Sequence, residues 1–381
     1  MPDQVQVCGD EMMNYIALKD VCTINMGQSP ESSSYNEIGD GIPFFQGNAD
    51  FGERYPITRV WCNKPTKVAK AEDILISVRA PIGAMNYAKE KCCIGRGVAA
   101  LTPNEEKVSS EFIFWLLKGK NNELNQKGTG STFKAIGRKV LEEIQVPEIN
   151  LELQRKYASN LERIYSIIQD RQRQLEQLDK LVRARFVEMF GDENNSKNWN
   201  VVNVEDVADV QVGVVIKPSQ YYTDESEGVR AFRSLNIGAG FIKDIDWVYF
   251  TKEGHLKNSK SILKENDLLI VRSGAPGTAC VVTEEYAGCN AVDIIIAHPD
   301  CEKVNPYYLC TFTNMPHGKK QIDEGIGGAA QQHFNVGKYN KLQLMLPPKT
   351  LQDEFGDFIN QVDKSKLQYH PHTHTCQPNT S

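Results

Sequence analysis

The chain has 381 residues, 40% of them hydrophobic, and a formal net charge of −6. That length exceeds one average domain and accommodates two, and the acidic balance excludes a uniformly basic nucleic-acid coat while leaving room for local basic faces. Its ten cysteines are scattered, with Cys92 beside Cys93 and no CxxC or Cys/His zinc spacing. Reduced thiols in a cytosolic protein are therefore expected. Neither a basic start followed by an apolar run nor a stretch of about 18 apolar residues occurs, so a soluble, cytoplasmic chain with no membrane role is expected.

In chain order, a polar start leads to residues 15–27 (YIALKDVCTINMG), of strand-and-turn character, and then to the polar loop 28–35 (QSPESSSY). Residues 41–48 (GIPFFQGN) follow, and then 73–79 (DILISVR), a β-rich run closed by Pro81 and Gly83. The Gly-punctuated apolar stretch 92–101 precedes residues 111–117 (EFIFWLL), which read as a short buried helix. The half ends on 128–132 (GTGST) and the strand-like 144–147 (IQVP). Residues 151–190 then form the longest periodic segment in the chain. Tyr157, Leu161, Ile164, Ile168, Arg171, Leu175, Leu178, Val182, Arg185 and Met189 recur in steps of four and three, no Gly or Pro intervenes, and Gly191 follows as a stop. At 1.5 Å per residue this helix is about 60 Å long, a spacer between two bodies rather than the core of one.

The same order of features then returns. Residues 18–21 (LKDV) are answered by 204–207 (VEDV), 41–48 by 229–236 (VRAFRSLN), and 73–79 by 267–272 (DLLIVR). Likewise 128–130 (GTG) is answered by 325–327 (GIG), 146–147 by 346–347, and Leu153, Gln154, Tyr157 and Leu161 by Leu351, Gln352, Phe355 and Ile359. The expected layout is body, helix, body, helix, with the two bodies in approximate two-fold relation and the helices pairing antiparallel. The second helix has its own seam at Leu351, Phe355, Phe358 and Val362 but fades after Leu367, and residues 369–381 read as a disordered tail.

Catalytic chemistry is sought and mostly not found. The first histidine is His255, so a histidine-based task cannot be shared by both halves. The tail group His370, His372, His374 and Cys376 reads as unpatterned. Residues 305–308 (NPYY) approach the turn with which amino-methyltransferases hold their target amino group, but lack its second proline; the repeat partner 109–112 (SSEF) has no such chemistry, and a helix cap explains both. No cofactor-binding glycine fingerprint is present, and 128–132 lacks the lysine of a phosphate loop.

What remains suits DNA. Ser131, Thr132 and Lys134 in one half and Gln331, Gln332 and His333 in the other follow a glycine loop; amides can bond adenine edges and hydroxyls can position phosphates, although a plain surface turn is the competing reading. Arg79 and Arg272, each at the end of a buried strand, are either clamps on a carboxylate or phosphate and base contacts. Gln46 with Asn48, and Arg233 with Asn236, suit either turn hydrogen bonds or base edges. Arg96 joins the candidate DNA contacts.

The layout resembles the DNA-specificity subunit of type I restriction-modification enzymes. The residues carrying the resemblance are 18–21, 27–30 (GQSP), 73–79, 146–154, 175–191 and their second-half partners, and it extends to about Leu367. It implies an α+β fold with two mixed α/β target-recognition domains at 1–148 and 192–347. Between and after them lie a central coiled-coil helix at 149–191 and a distal one at 348–368, with the tail at 369–381. It also implies that each domain reads one half of a split site in double-stranded DNA, and that the helices fix the gap and dock two methyltransferase subunits, with restriction-translocase subunits added for cleavage. The chain itself would hold no catalytic site, cofactor or metal; S-adenosylmethionine, ATP and Mg would belong to the partner subunits. Leu161, Ile164, Ile168, Leu175, Leu178 and Val182 of the central helix, with Phe355 and Val362 of the distal one, would form the seam or meet partners. Because the distal helix is short, the expectation is that a truncated or recombined end leaves Leu175, Leu178, Val182 and Met189 unmated, to be covered by a self-dimer or a methyltransferase subunit. Two other readings, a self-contained DNA methyltransferase and a docking scaffold without DNA readout, are separated from this one by a methyl-transfer assay and by salt-dependent duplex affinity.

Overall fold

The computed structural model describes residues 14–130, 134–326 and 334–369. The chain falls into two compact units that divide between Gln169 and Asp170, inside one long helix.

The first unit runs through β1 (Tyr15–Ala17), α1 (Leu18–Val21), β2 (Cys22–Met26), β3 (Tyr35–Asn36), β4 (Ile42–Phe45), β5 (Trp61–Cys62) and β6 (Val68–Ala69). It continues with β7 (Ile74–Ser77), β8 (Met85–Tyr87), β9 (Cys92–Ile94), β10 (Val98–Pro103), α2 (Ser110–Gly119), α3 (Asn121–Gln126), α4 (Arg138–Glu142), β11 (Gln145–Pro147) and the start of α5 (Leu151–Phe190). Its main sheet has the antiparallel order β2-β10-β7-β8. Every residue of β7 is buried, which is why Ile74, Leu75 and Ile76 run on without the polar alternation of a half-exposed strand. A second sheet, β3-β5-β4-β9-β6, contains one parallel pair, β4 with β9, and β1 pairs with β11.

The second unit repeats this order with β12 (Asn200–Asn203), β13 (Ala208–Val212), β14 (Tyr222–Thr223), β15 (Val229–Phe232), β16 (Val248–Phe250), α6 (Lys252–Lys257), β17 (Leu268–Val271), β18 (Ala279–Val281), β19 (Asn290–Ala291) and β20 (Ile294–Pro299). Helices α7 (Pro306–Asn314), α8 (Pro316–Ile326) and α9 (Val336–Asn340), strand β21 (Gln343–Leu346) and α10 (Lys349–Tyr369) complete it. Its sheets β13-β20-β17-β18, β14-β16-β15-β19 and β12-β21 follow those of the first unit, including the parallel pair β15 with β19, except that among the described residues no strand takes the place of β6 beside β19. The repeated aspartates stand in equal roles: Asp73 accepts a bond from Lys70 N, and Asp267 from Lys264 N, each at 2.7 Å.

Residues 305–308 are a helix cap and not a substrate turn. Asn305 Oδ1 accepts from Tyr307 N at 2.9 Å, Asn305 Nδ2 donates to Asp353, and Ser109 Oγ caps α2 through Phe112 N.

The helices correct one expectation. Within the second unit, Phe186 and Phe190 of α5 pack edge-on against Phe355 of α10 with ring centroids 5.5 and 5.4 Å apart, while Lys366 pairs with Asp179 at 2.8 Å. The contacts advance along α10 as they retreat along α5, because α10 begins beside the end of α5. Val182 and Met189 therefore belong to the second unit's core along with Phe355, Ile359 and the buried Val362, and Leu175 and Leu178 are half-buried. The far part of the stripe is the covered part. In the first unit, Gln154, Ala158, Glu162 and Tyr165 face the body: Gln154 and Ala158 are buried, Glu162 pairs with Arg54 at 2.7 Å, and Tyr165 lies 5.3 Å from the Trp115 ring. The adjoining face, with Tyr157, Leu161, Ile164 and Ile168, is exposed, Ile164 by 55%.

Candidate nucleic-acid interface

Four of the candidate residues in the first unit are joined through the backbone. Gln46 leaves the end of β4. Gly97 lies so close beneath it that an added Cβ would stand 2.1 Å from Gln46 O, so only glycine permits this approach. Gly97 O in turn accepts from Val78 N at 2.9 Å, which brings Arg96 and Arg79 to the same edge of the molecule, and Ala80 N donates to Lys134 O at 3.0 Å. The side chains of Gln46, Arg79, Arg96 and Lys134 are all exposed. Ion pairs elsewhere in the chain do not include Arg79, Arg96 or Lys134 among the described residues. The result is three uncompensated cations and one amide on an otherwise acidic chain, a combination that attracts phosphate and can also bond a base edge. Asn48, half-buried, lies in the next turn. Ser131, Thr132, Gln331, Gln332 and His333 lie outside the described residues.

The second unit uses the corresponding positions differently, and strand register corrects the sequence pairing of Arg79 with Arg272. Gly83 N bonds Ser77 O and Gly277 N bonds Val271 O, each at 2.9 Å; Ile136 N bonds Val78 O as Phe334 N bonds Arg272 O. Ser77 therefore corresponds to Val271, the buried Val78 to Arg272, and Arg79 to Ser273. A shift of one residue turns a strand side chain to the opposite face, so the two arginines do not occupy the same place. Arg272 is a clamp: its side chain is 17% exposed, donates to Phe334 O at 3.3 Å and pairs with Asp293. Asp293 lies in the segment joining β19 to β20, where the first unit has Arg96 between β9 and β10.

The turn after β15 is also shifted. Asn236 Oδ1 accepts from Arg233 N at 2.9 Å and Asn236 Nδ2 donates to Ile245 O at 2.6 Å. Its counterpart is Asp50, which accepts from Gln46 N at 2.6 Å, and not Asn48. Asn236 is 0% exposed, so its amide is spent on holding the turn and is not presented to DNA. Arg233 pairs with Asp246, at 3.3 Å from its carboxylate. Beside this turn lies a feature that residue-by-residue reading missed, a cavity of about 380 Å³ whose lining includes Ser234, Phe241, Lys243, Ser273 and Thr278. Phe241 and Lys243 are both exposed. The sequence signal for it is the pair of glycines at 238 and 240, which lets the Phe241 ring fold over Gly238; an added Cβ there would meet the ring at 2.5 Å.

Other chemistry is sparse. The eight described cysteines are free, and burial pushes the thiols of Cys22 and Cys92 up to about 12, which keeps them protonated and unreactive. Among the described residues no group of three or more His, Cys, Asp or Glu side chains is placed to hold a metal, and no helix is long and apolar enough to cross a membrane.

Comparison with known proteins agrees with the duplication. A family model described as "type I restriction modification DNA specificity domain" matches the chain twice, over residues 10–178 and 196–372, and the chain belongs to this family. A protein of Methanocaldococcus jannaschii named as the MjaX specificity subunit of a type I restriction enzyme is 48% identical over 157 residues, covering 41% of this chain and 37% of that protein. The MjaIX specificity subunit of the same organism is 21% identical over 373 residues, covering 90% of this chain and 84% of the relative. The crystal structure of a type I restriction-modification S subunit from M. genitalium shares the fold over 95% of this chain and 93% of its own, with a TM-score of 0.59 and 15% identity.

Proposed function

We propose that the chain is the non-catalytic specificity subunit of a type I restriction-modification complex and reads a split site in double-stranded DNA. Each target-recognition domain, at 1–148 and 192–347, takes one half of the site. The central helix at 149–191 and the distal helix at 348–368 pair as a short antiparallel coiled coil and fix the gap. Two methyltransferase subunits dock on the helices, restriction-translocase subunits join for cleavage, and the methyl-transfer and cleavage chemistry belongs to those partners. The observation that carries this reading is the duplication itself, two bodies of one topology whose corresponding edges differ chemically, in a chain of this family. The first edge presents Gln46, Arg79, Arg96 and Lys134. At the second, Arg233 and Arg272 are held by carboxylates, so Phe241 and Lys243 beside the cavity join Gln331 and Gln332 as its candidate readers. Such a difference is what two unlike half-sites require. The exposed stripe Tyr157, Leu161, Ile164 and Ile168 is the face on which a methyltransferase subunit is expected to sit.

The test is methylome mapping of DNA modified by the assembled complex, with a companion in which residues 15–145 are exchanged for those of another family member. One half of the recognised sequence should change and the other should stay. A change in both halves, or in neither, would overturn the two-reader assignment.

A further inference from the structure

Two glutamines in the same helical position make the same three bonds. Gln154 is the fourth residue of α5 and Gln352 the fourth residue of α10. Gln154 is 1% exposed; its Oε1 accepts from Ser109 N at 2.8 Å and its Nε2 donates to Ile149 O at 2.8 Å and Lys107 O at 3.3 Å. Gln352 is 0% exposed; its Oε1 accepts from Asn305 N at 2.9 Å and its Nε2 donates to Pro347 O at 2.8 Å and Lys303 O at 3.4 Å. Ser109 and Asn305 are themselves the capping residues of α2 and α7. Each amide therefore joins a helix of the body, the loop that leads into that helix, and the chain entering α5 or α10.

Filling these positions would need only an apolar side chain. A buried amide is costly unless every polar atom is matched, but when matched it permits one setting, because hydrogen bonds are directional and packing is not. The surroundings are otherwise apolar, with Ala158 one turn beyond Gln154 and Phe355 just beyond Gln352 in the buried cores.

We propose that Gln154 and Gln352 are positioning residues for specificity, setting the angle at which each DNA-reading body is held on its helix and so determining which gap length between the half-sites is accepted. The inference rests on the split-site reading above. Neither side chain touches DNA in this assignment, so their loss leaves the half-site sequences unchanged and relaxes the spacing.

The experiment uses the full complex with its methyltransferase subunits, on duplexes carrying the mapped half-sites at the native gap and at one base pair more or less. Gln154→Leu leaves the Ser109 N–H and two carbonyls without partners, and the preference for the native gap is expected to fall about tenfold, the scale set by one unsatisfied buried group. Preference between correct and mismatched half-sites at the native gap is expected to stay within about twofold, and Gln352→Leu should behave alike. Should the leucine variants fail to assemble, Gln154→Asn, which keeps the amide but shortens its reach, carries the same comparison. A lower melting temperature with gap preference intact would make the glutamines merely structural and overturn the inference. A wild-type complex indifferent to the gap would instead overturn the split-site reading.

Discussion

Phe186 lies parallel to Tyr308, with ring centroids 5.5 Å apart and planes 13° from each other, and meets Phe355 edge-on at 5.5 Å. Through this contact the end of α5 is part of the second unit's core, where Phe186, Tyr308 and Phe355 are buried. Phe186→Ala opens a cavity among rings that cannot all close in, and a loss of about 3–5 kcal/mol is expected. Hydrogen exchange should show the loss of protection in the second unit while residues 15–148 stay protected. Equal loss in both units would refute the assignment of Phe186 to one core.

The basic edge of the first unit makes a prediction in salt. Arg79→Gln and Arg96→Gln each remove one exposed cation without disturbing a buried group, so folding should change by less than about 0.5 kcal/mol. Each that meets a phosphate should lower the slope of log affinity against log salt by about one. Fluorescence anisotropy of the assembled complex on duplex DNA at several salt concentrations measures this. Arg272→Gln is expected to act differently: it leaves Asp293 uncompensated and Phe334 O without its donor, and should cost stability before it alters the salt slope.

The exposed stripe of α5 can be tested apart from DNA. Ile164→Asp places a charge on a face already in water, so the isolated chain should melt within about 1 °C to 4 °C of the parent. Assembly with the methyltransferase subunit, followed by size-exclusion chromatography with light scattering, should weaken strongly. Assembly at parental affinity would remove this stripe from the docking surface.

His317 sets an acid-side limit on the second unit. Burial lowers its pKa below the usual value of 6.5, with a further lowering from Lys320 and an opposing pull from Glu193; its ring packs against Phe312. The folded state thus holds the neutral imidazole, and the unfolded chain takes up the proton first as pH falls. Stability is complete above about pH 6.5 and declines as pH drops through that value toward the folded pKa. Thermal melts between pH 5 and 7.5 should show a shallower decline for His317→Gln than for the parent. An unchanged slope would assign the acid sensitivity to other groups.

The long helix and the duplication were legible in the sequence because both leave periodic marks: a mostly apolar stripe in steps of three and four from Tyr157 to Met189, and Asp73 recurring as Asp267 before a buried strand. Capping at Ser109 and Asn305 was legible as well, since the chemistry of a helix start is local. Register was not. Reading Arg79 against Arg272 placed a one-residue gap inside a strand, where hydrogen bonds from Gly83 and Gly277 allow none, and only the ladder distinguishes a clamp from an exposed cation. Nor could the seam alone disclose which half of α5 is covered, because that depends on where α10 begins in space. The roles of Gln154 and Gln352 were hidden behind residues far away in the chain, although their repetition was visible.

The division between the two units falls within α5, and residues 170–174 there are exposed, several helical turns from Ala158 on one side and more than two turns from Val182 on the other. A break in the chain at this point would cut neither core. Each piece would retain its own sheets and its own glutamine-anchored helix, so a cut there would leave the packing inside both units as it is.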